Sequence, residues 1–224
     1  MKQMTEKHLA IFRRHMVEVI GIHADLASDD CGKSQLDDRV LAAMHEIPRH
    51  LFVPAPVAAA AYADTPLPIG FDKTISQPFI VALMTDLLEL QATDRVLEVG
   101  TGLGYQAAIL ARLTAHVFSV EVVEEFATSA RHRLKRIGIE NVTIRVGDGS
   151  RGWAEHAPFD KILVAAASRQ PPPKLLDELK QGGRLVMPIG GREQQGLSVV
   201  DKDATGVRVR SVLDVRFGEL ETVA

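Results

Sequence analysis

Cysteine is nearly missing from this 224-residue sequence: Cys31 stands alone, so no internal disulfide forms and a reducing compartment is expected. Cys31 also has no neighbouring cysteine or histidine at ligand spacing, and no metal site is expected. There is no excess of positive charge. The formal net charge is -3 and no long Lys/Arg run occurs, which argues against a general grip on nucleic-acid backbones. No uncharged apolar stretch approaches the roughly 20 residues that a bilayer span requires, so no membrane partner is expected. The first residues carry Lys2, Glu6, Lys7, Arg13 and Arg14 where a secretory signal would have an apolar core, so a cytoplasmic protein is expected. Repeats and low-complexity segments are missing too. What is present, 46% hydrophobic and 25% charged residues, is the composition of an ordinary globular protein. Its length suits one domain, 1–224.

Leu9, Phe12, Met16 and Val19 recur at spacings of three and four, which predicts a helix with those residues on its buried face. A loop at Gly32, Lys33 and Ser34 leads to a second helix with Leu36, Val40, Met44 and Ile47 on one side, closed by Pro48. Residues 54–71 mix prolines with an alanine run and read as an irregular cap. From Pro78 a long amphipathic helix carries Phe79, Ile80, Leu83, Met84, Leu87 and Leu88. Short strands and helices then alternate, with strands at 95–99, 116–121, 141–146, 159–166 and 184–189 and helices at 105–113, 123–137 and 173–180. Alternation of that kind means a parallel sheet covered on both faces. Segments 197–201 and 207–217, joined by a turn at 203–206, predict a closing antiparallel hairpin. The expected fold is α/β and Rossmann-like, similar to class I S-adenosylmethionine-dependent methyltransferases. Residues 1–77 would form a helical cap and substrate side, and 78–224 the cofactor-binding core.

Glu98, Gly100, Gly102 and Gly104 fall between a strand and a helix. Glycines there let the backbone turn tightly and approach a ligand. Their spacing is G-x-G-x-G, not the G-x-G-x-x-G of dinucleotide sites, and Glu98 suits a cation better than a pyrophosphate. S-adenosylmethionine carries an amino group and a sulfonium. Glu121 ends the next strand, where an acid accepts the two hydroxyls of a ribose. Asp148, between Gly147 and Gly149 after the third strand, is placed to meet an adenine edge. Each acid alone reads equally as a loop residue. Three at successive strand ends make a nucleoside pocket.

Ser76 and Pro78 admit two readings. Ser76 is a helix N-cap with Pro78 in the first turn, or the helix N-terminus holds a carboxylate beside Ser76. Here the sequence resembles the protein-L-isoaspartate O-methyltransferase family over nearly its whole length. The resemblance rests on stretches 49–54, 61–70, 74–78, 98–106, 147–149, 157–160 and 182–190. The Thr74-Ile-Ser-Gln-Pro78 and Pro66-Leu-Pro-Ile-Gly70 runs are the most restricted to that family. It implies that Ser76 is the active-site serine, that Thr74 and Ile75 line the cofactor pocket, and that Glu98, Gly100, Glu121, Asp148 and Gly149 are cofactor positions. It also implies S-adenosylmethionine as cofactor and isoaspartyl-containing proteins as substrate, their esters collapsing to succinimide. The sequence departs from the family at Leu103, at 168–173, and at Gly218 and Glu219.

The acceptor of such a transfer is an α-carboxyl with a pKa near ~3.5, already ionised at neutral pH, so none of the eight histidines is expected to act as a base. Ser76 would orient the carboxylate. It sits in no G-x-S-x-G elbow and has no partner base. Competing readings are a carboxyl methyltransferase with a dedicated peptide or small-acid substrate and a non-catalytic cofactor-binding protein. An NAD-linked dehydrogenase is disfavoured by the glycine spacing. The oligomeric state is left open.

Overall fold

The structure is a computed structural model that describes residues 5–223. Lys2 lies outside them. The chain opens with helices α1 (Glu6–Leu26), α2 (Ser28–Cys31) and α3 (Asp38–Glu46), followed by 3-10 turns at Arg49–Phe52 and Ala55–Ala60. Met16, Ile20 and Ala24 form the buried face of α1, while Phe12, expected inside, is 48% exposed. Apolar residues lie on two sides of this helix, with Ile11, Ile22 and Leu26 also exposed, so spacing alone does not choose the packed side.

Beginning at the end of the stretch read as an irregular cap and running past it, a small hairpin pairs β1 (Leu67–Gly70) with β2 (Lys73–Ile75). Its two turn residues, Phe71 and Asp72, both have positive φ, 49° and 54°. That is the backbone of a tight hairpin turn without the usual Asn-Gly signal. Phe71 offsets the strain by packing edge-on against Phe126, 5.3 Å between ring centroids. Helix α4 (Pro78–Leu87) follows directly, starting on a first-turn proline and apolar except for Thr85 and Asp86 near its end. Every residue but Ile80 is buried, as befits a helix inside a core.

The main sheet is built from β3 (Arg95–Val99), β4 (His116–Glu121), β5 (Val142–Val146), β6 (Phe159–Val164), β7 (Leu179–Gly190), β8 (Gln195–Asp203) and β9 (Gly206–Asp214), in the order β5-β4-β3-β6-β7-β8-β9. Helices α5 (Tyr105–Leu113), α6 (Glu124–Arg136) and α7 (Pro173–Glu178) lie in the connections. Strands β5, β4, β3, β6 and β7 pair in parallel in that order, and β8 runs antiparallel to both β7 and β9. The parallel sheet closing on a hairpin is therefore present. Strand β7 starts at Leu179, earlier than the expected 184, because the helix before it ends at Glu178 and the strand runs on through Gly182 and Gly183. Strand β9 stops at Asp214, short of 217, because the Gln195 side chain clasps the backbone N–H and carbonyl of Phe217. At this edge of the sheet Val207 and Val209 are 44% and 54% exposed and alternate with exposed Arg208 and Arg210. The glycine loop, Glu121 and Gly149 all follow strands at one end of the sheet, where open α/β sheets hold ligands.

Candidate active site

A cavity of about 700 Å³ lies at that end. One wall is the end of β2 and the start of α4, with Thr74, Ile75 and Ser76. The other is the sheet side, with Gly100, Gly102, Glu121 and Gly149. The structure thus brings seven of the nine predicted site residues into the lining of one cavity. Glu98 and Asp148 stay outside it.

Glu121 is buried, and both of its oxygens are fixed by backbone: Gly102 N–H donates to Oε2 at 2.8 Å and Val123 N–H to Oε1 at 2.9 Å. Gly102 reaches this position with φ 53°, a conformation that costs a side chain but not glycine. A carboxylate so held keeps lone pairs for further donors, such as the hydroxyls of a ribose. At Gly149 the limit is space. A Cβ there would stand 2.3 Å from Cγ1 of Val99, so only glycine leaves the cavity floor open. These features fit S-adenosylmethionine.

Asp148 is used differently from expectation. Its Oδ1 accepts from the Ser150 N–H and hydroxyl, and its Oδ2 from the Val223 N–H at 3.1 Å. Burial pushes its pKa up, but these bonds and Arg151 outweigh it and hold the carboxyl below its ordinary value. These bonds tie Val223 to the turn beside Gly149.

Glu98 is wholly buried under the glycine loop. Ser119 donates to its Oε2, Thr101 bonds Ser119 at 2.5 Å, and Oε1 has no partner among the described residues. Burial raises its pKa from 4.5 to about 8; the Ser119 bond opposes the shift and Glu121 adds to it. At neutral pH Glu98 is thus mainly protonated, not the ready counter-charge its sequence position suggested. The fold holds this proton at pH values where the unfolded chain has lost it. That stabilisation is complete below the unfolded value near 4.5 and is lost as pH rises through about 8. Glu98→Gln should therefore melt like the parent near pH ~4.5 and progressively higher than it up to about pH 8. Parallel melting profiles across that window would mean that Glu98 ionises freely in the fold.

Ser76 lines the cavity and its hydroxyl has no hydrogen-bond partner among the described residues. It does not cap α4. Gln77 holds the N-cap position, and the free Phe79 N–H is taken by Asp64 Oδ1 at 2.8 Å. Asp64 Oδ2 accepts from the Gln77 side chain at 2.7 Å, and the His23 ring abuts the same carboxylate. Beneath lies Arg49, 0% exposed, with Nε donating to the Ala61 carbonyl at 2.9 Å and Nη2 to the Ser76 carbonyl at 2.7 Å. Its guanidinium sits 4.9 Å from the centre of the Tyr105 ring. Burial lowers its pKa to about 10, which leaves it charged at neutral pH. Sequence reasoning missed Arg49 and Asp64 as parts of the site. The available signal was a charged residue set among apolar neighbours in a stretch with restricted composition. Of the three departures from the family pattern, Leu103, Gly218 and Glu219 line the cavity and 168–173 do not.

A model of the family described as Protein-L-isoaspartate(D-aspartate) O-methyltransferase (PCMT) matches residues 29–222. Protein-L-isoaspartate O-methyltransferase 1 of Polaromonas sp. (strain JS666 / ATCC BAA-500) is 54% identical over 97% of this chain and 93% of its own length. The protein-L-isoaspartate O-methyltransferase of Methanoregula boonei is 53% identical over 83% of this chain and 86% of its own. A solved protein-L-isoaspartate O-methyltransferase superposes with a TM-score of 0.81 at 29% identity, over 93% of this chain and 66% of that one. A Plasmodium falciparum structure described as a putative member, in complex with S-adenosyl-L-homocysteine, gives 0.78 at 23% identity over 94% and 99%, a likeness of fold.

Fold and site together define a class I S-adenosylmethionine-dependent methyltransferase. Such folds serve many acceptors, and the fold alone does not choose among them. The match over most of the chain does: it belongs to the protein-L-isoaspartate (D-aspartate) O-methyltransferase family, whose members esterify isoaspartyl residues of damaged proteins.

Proposed function

We propose that this chain repairs isoaspartyl proteins by holding the misplaced α-carboxylate at Ser76, in line with a methyl group bound over Gly149 and Glu121. The observation that carries this reading is the free Ser76 hydroxyl in the lining of the same cavity as Thr74, Ile75, Gly100, Gly102, Glu121 and Gly149. S-adenosylmethionine, when bound, supplies a methyl group on a positively charged sulfur. The chain's own task is to orient the acceptor oxygen, remove its water and fix its approach. A carboxylate with pKa near ~3.5 needs no base, and no histidine is among the described residues lining the cavity. Glu98 and Asp148 support the pocket from behind, through Ser119 and through the chain end. On this reading residues 1–77 form the substrate side and 78–224 the cofactor core. The solitary, buried Cys31 favours a cytoplasmic enzyme.

The test is a pair of peptides that differ only in an isoaspartyl or an aspartyl linkage, incubated with labelled cofactor. Base-labile methyl ester is expected on the isoaspartyl peptide alone. Equal labelling of both would remove the repair assignment, and labelling of neither would favour a dedicated substrate.

A further inference from the structure

Arg49 carries a positive charge into the interior, yet among the described residues no carboxylate is bonded to it. Buried charges are paired as a rule, because an unpaired ion gives up its hydration for nothing in return. The partners of Arg49 are two neutral carbonyls and the face of Tyr105, and its Nη1 has none. Asp64, the acid acting on it, is already committed to Phe79, Gln77 and His23. Tyr62 and Tyr105, the other titratable groups beside it, are both pushed by burial above the usual phenol range and stay neutral. Two of the residues that Arg49 touches, Ser76 and Tyr105, belong to the cavity wall, so the charge lies one residue layer behind that wall.

We propose that Arg49 is a positioning residue for the substrate carboxylate. It locks the Ser76 carbonyl on the protein side, and its charge adds a counter-ion directly behind Ser76. Of the other cationic side chains lining the cavity, Lys73 and Arg192 are paired with Glu221 and Glu219, and Arg216 lies on the segment after β9. The N-terminus of α4 adds partial positive charge on the same side. This inference rests on the reading that the carboxylate sits at Ser76. The charge is weakly screened there, and Arg is suited to the place because it stays protonated when buried.

The experiment measures binding, not turnover. Calorimetry on the enzyme saturated with S-adenosylhomocysteine compares an isoaspartyl peptide with its twin in which the α-carboxylate is a carboxamide. Arg49→Gln keeps a donor for one carbonyl and removes the charge. It should weaken the acid about tenfold or more while leaving the amide unchanged, as expected for loss of one weakly screened attraction across a residue layer. Arg49→Lys restores the charge and should restore the preference for the acid near pH ~6. A lysine buried there without a carboxylate is pushed toward neutrality, so that preference should fade toward pH ~10. The lysine variant thus tests the idea even if the glutamine variant does not fold. Equal weakening of acid and amide by Arg49→Gln, or a preference in Arg49→Lys that does not change with pH, would overturn the proposal. Ser76→Asn, measured alongside, separates the two readings. If the carboxylate does not sit at Ser76, that variant binds both peptides like the parent whatever Arg49 does.

Discussion

Ser76→Ala is expected to melt like the parent protein, bind S-adenosylmethionine normally, and methylate isoaspartyl peptide roughly 10²–10³-fold more slowly, the cost of one oriented donor in a transfer site. The separation of stability from activity comes from the geometry at the start of α4. Were Ser76 the helix cap, the substitution would cost roughly 0.5–2 kcal/mol of stability. But Gln77 is the N-cap, Asp64 takes the free Phe79 N–H, and the Ser76 hydroxyl has no partner in the protein to lose. Ser76→Asn should behave likewise, since its amide crowds the acceptor where small misplacements are costly. Scanning calorimetry, cofactor titration and peptide turnover on the two variants decide the matter. Turnover near the parent's in either well-folded variant removes Ser76 from the reaction, and a marked drop in melting temperature makes it a structural residue.

Loss of the Glu121 carboxylate is the other large effect. Glu121→Ala should weaken S-adenosylmethionine binding by roughly 1.5–3 kcal/mol, or about tenfold to a hundredfold, because charged acceptors of buried hydroxyls are worth that much. The same change also frees the N–H groups of Gly102 and Val123, so the glycine loop loosens with it. Glu121→Gln tests the geometry more sharply. It keeps the size but replaces one accepting oxygen with a donating amide, which meets one of the two backbone N–H groups donor to donor. Glutamine should therefore recover little of the affinity. Calorimetric titration with cofactor checks this, and affinity unchanged in both variants would take Glu121 out of the pocket.

The cofactor half of this site was legible because it is local. Gly100, Gly102 and Gly149 sit in turns right after strands, Glu121 closes a strand, and each position follows from the alternation of elements along the chain. The pocket's floor could be read from glycine alone. Glu98 and Asp148 were read as ligand-facing acids because proximity in sequence to a glycine turn says nothing about side-chain direction. One points under the loop to Ser119 and the other toward Val223, a residue 75 positions away. The substrate half was harder still. Arg49 and Ser76 are 27 positions apart, and Gln195 and Phe217 are 22, so each contact forms only when residues distant in the sequence are brought together, the first within the cap and the second across the end of the closing hairpin. Even α1, strongly periodic, showed two apolar sides, and only its packing against α3 and α4 selects one.

The outer strand β9 sets a condition on the company this enzyme keeps. Its substrates are worn proteins whose local unfolding frees lengths of backbone with unpaired N–H and carbonyl groups. An open sheet border invites such lengths to add themselves as one more strand, and valines at 207 and 209 make that border adhesive. Arg208 and Arg210, set between those valines and exposed, put charge along that border and so disfavour the addition of a further strand.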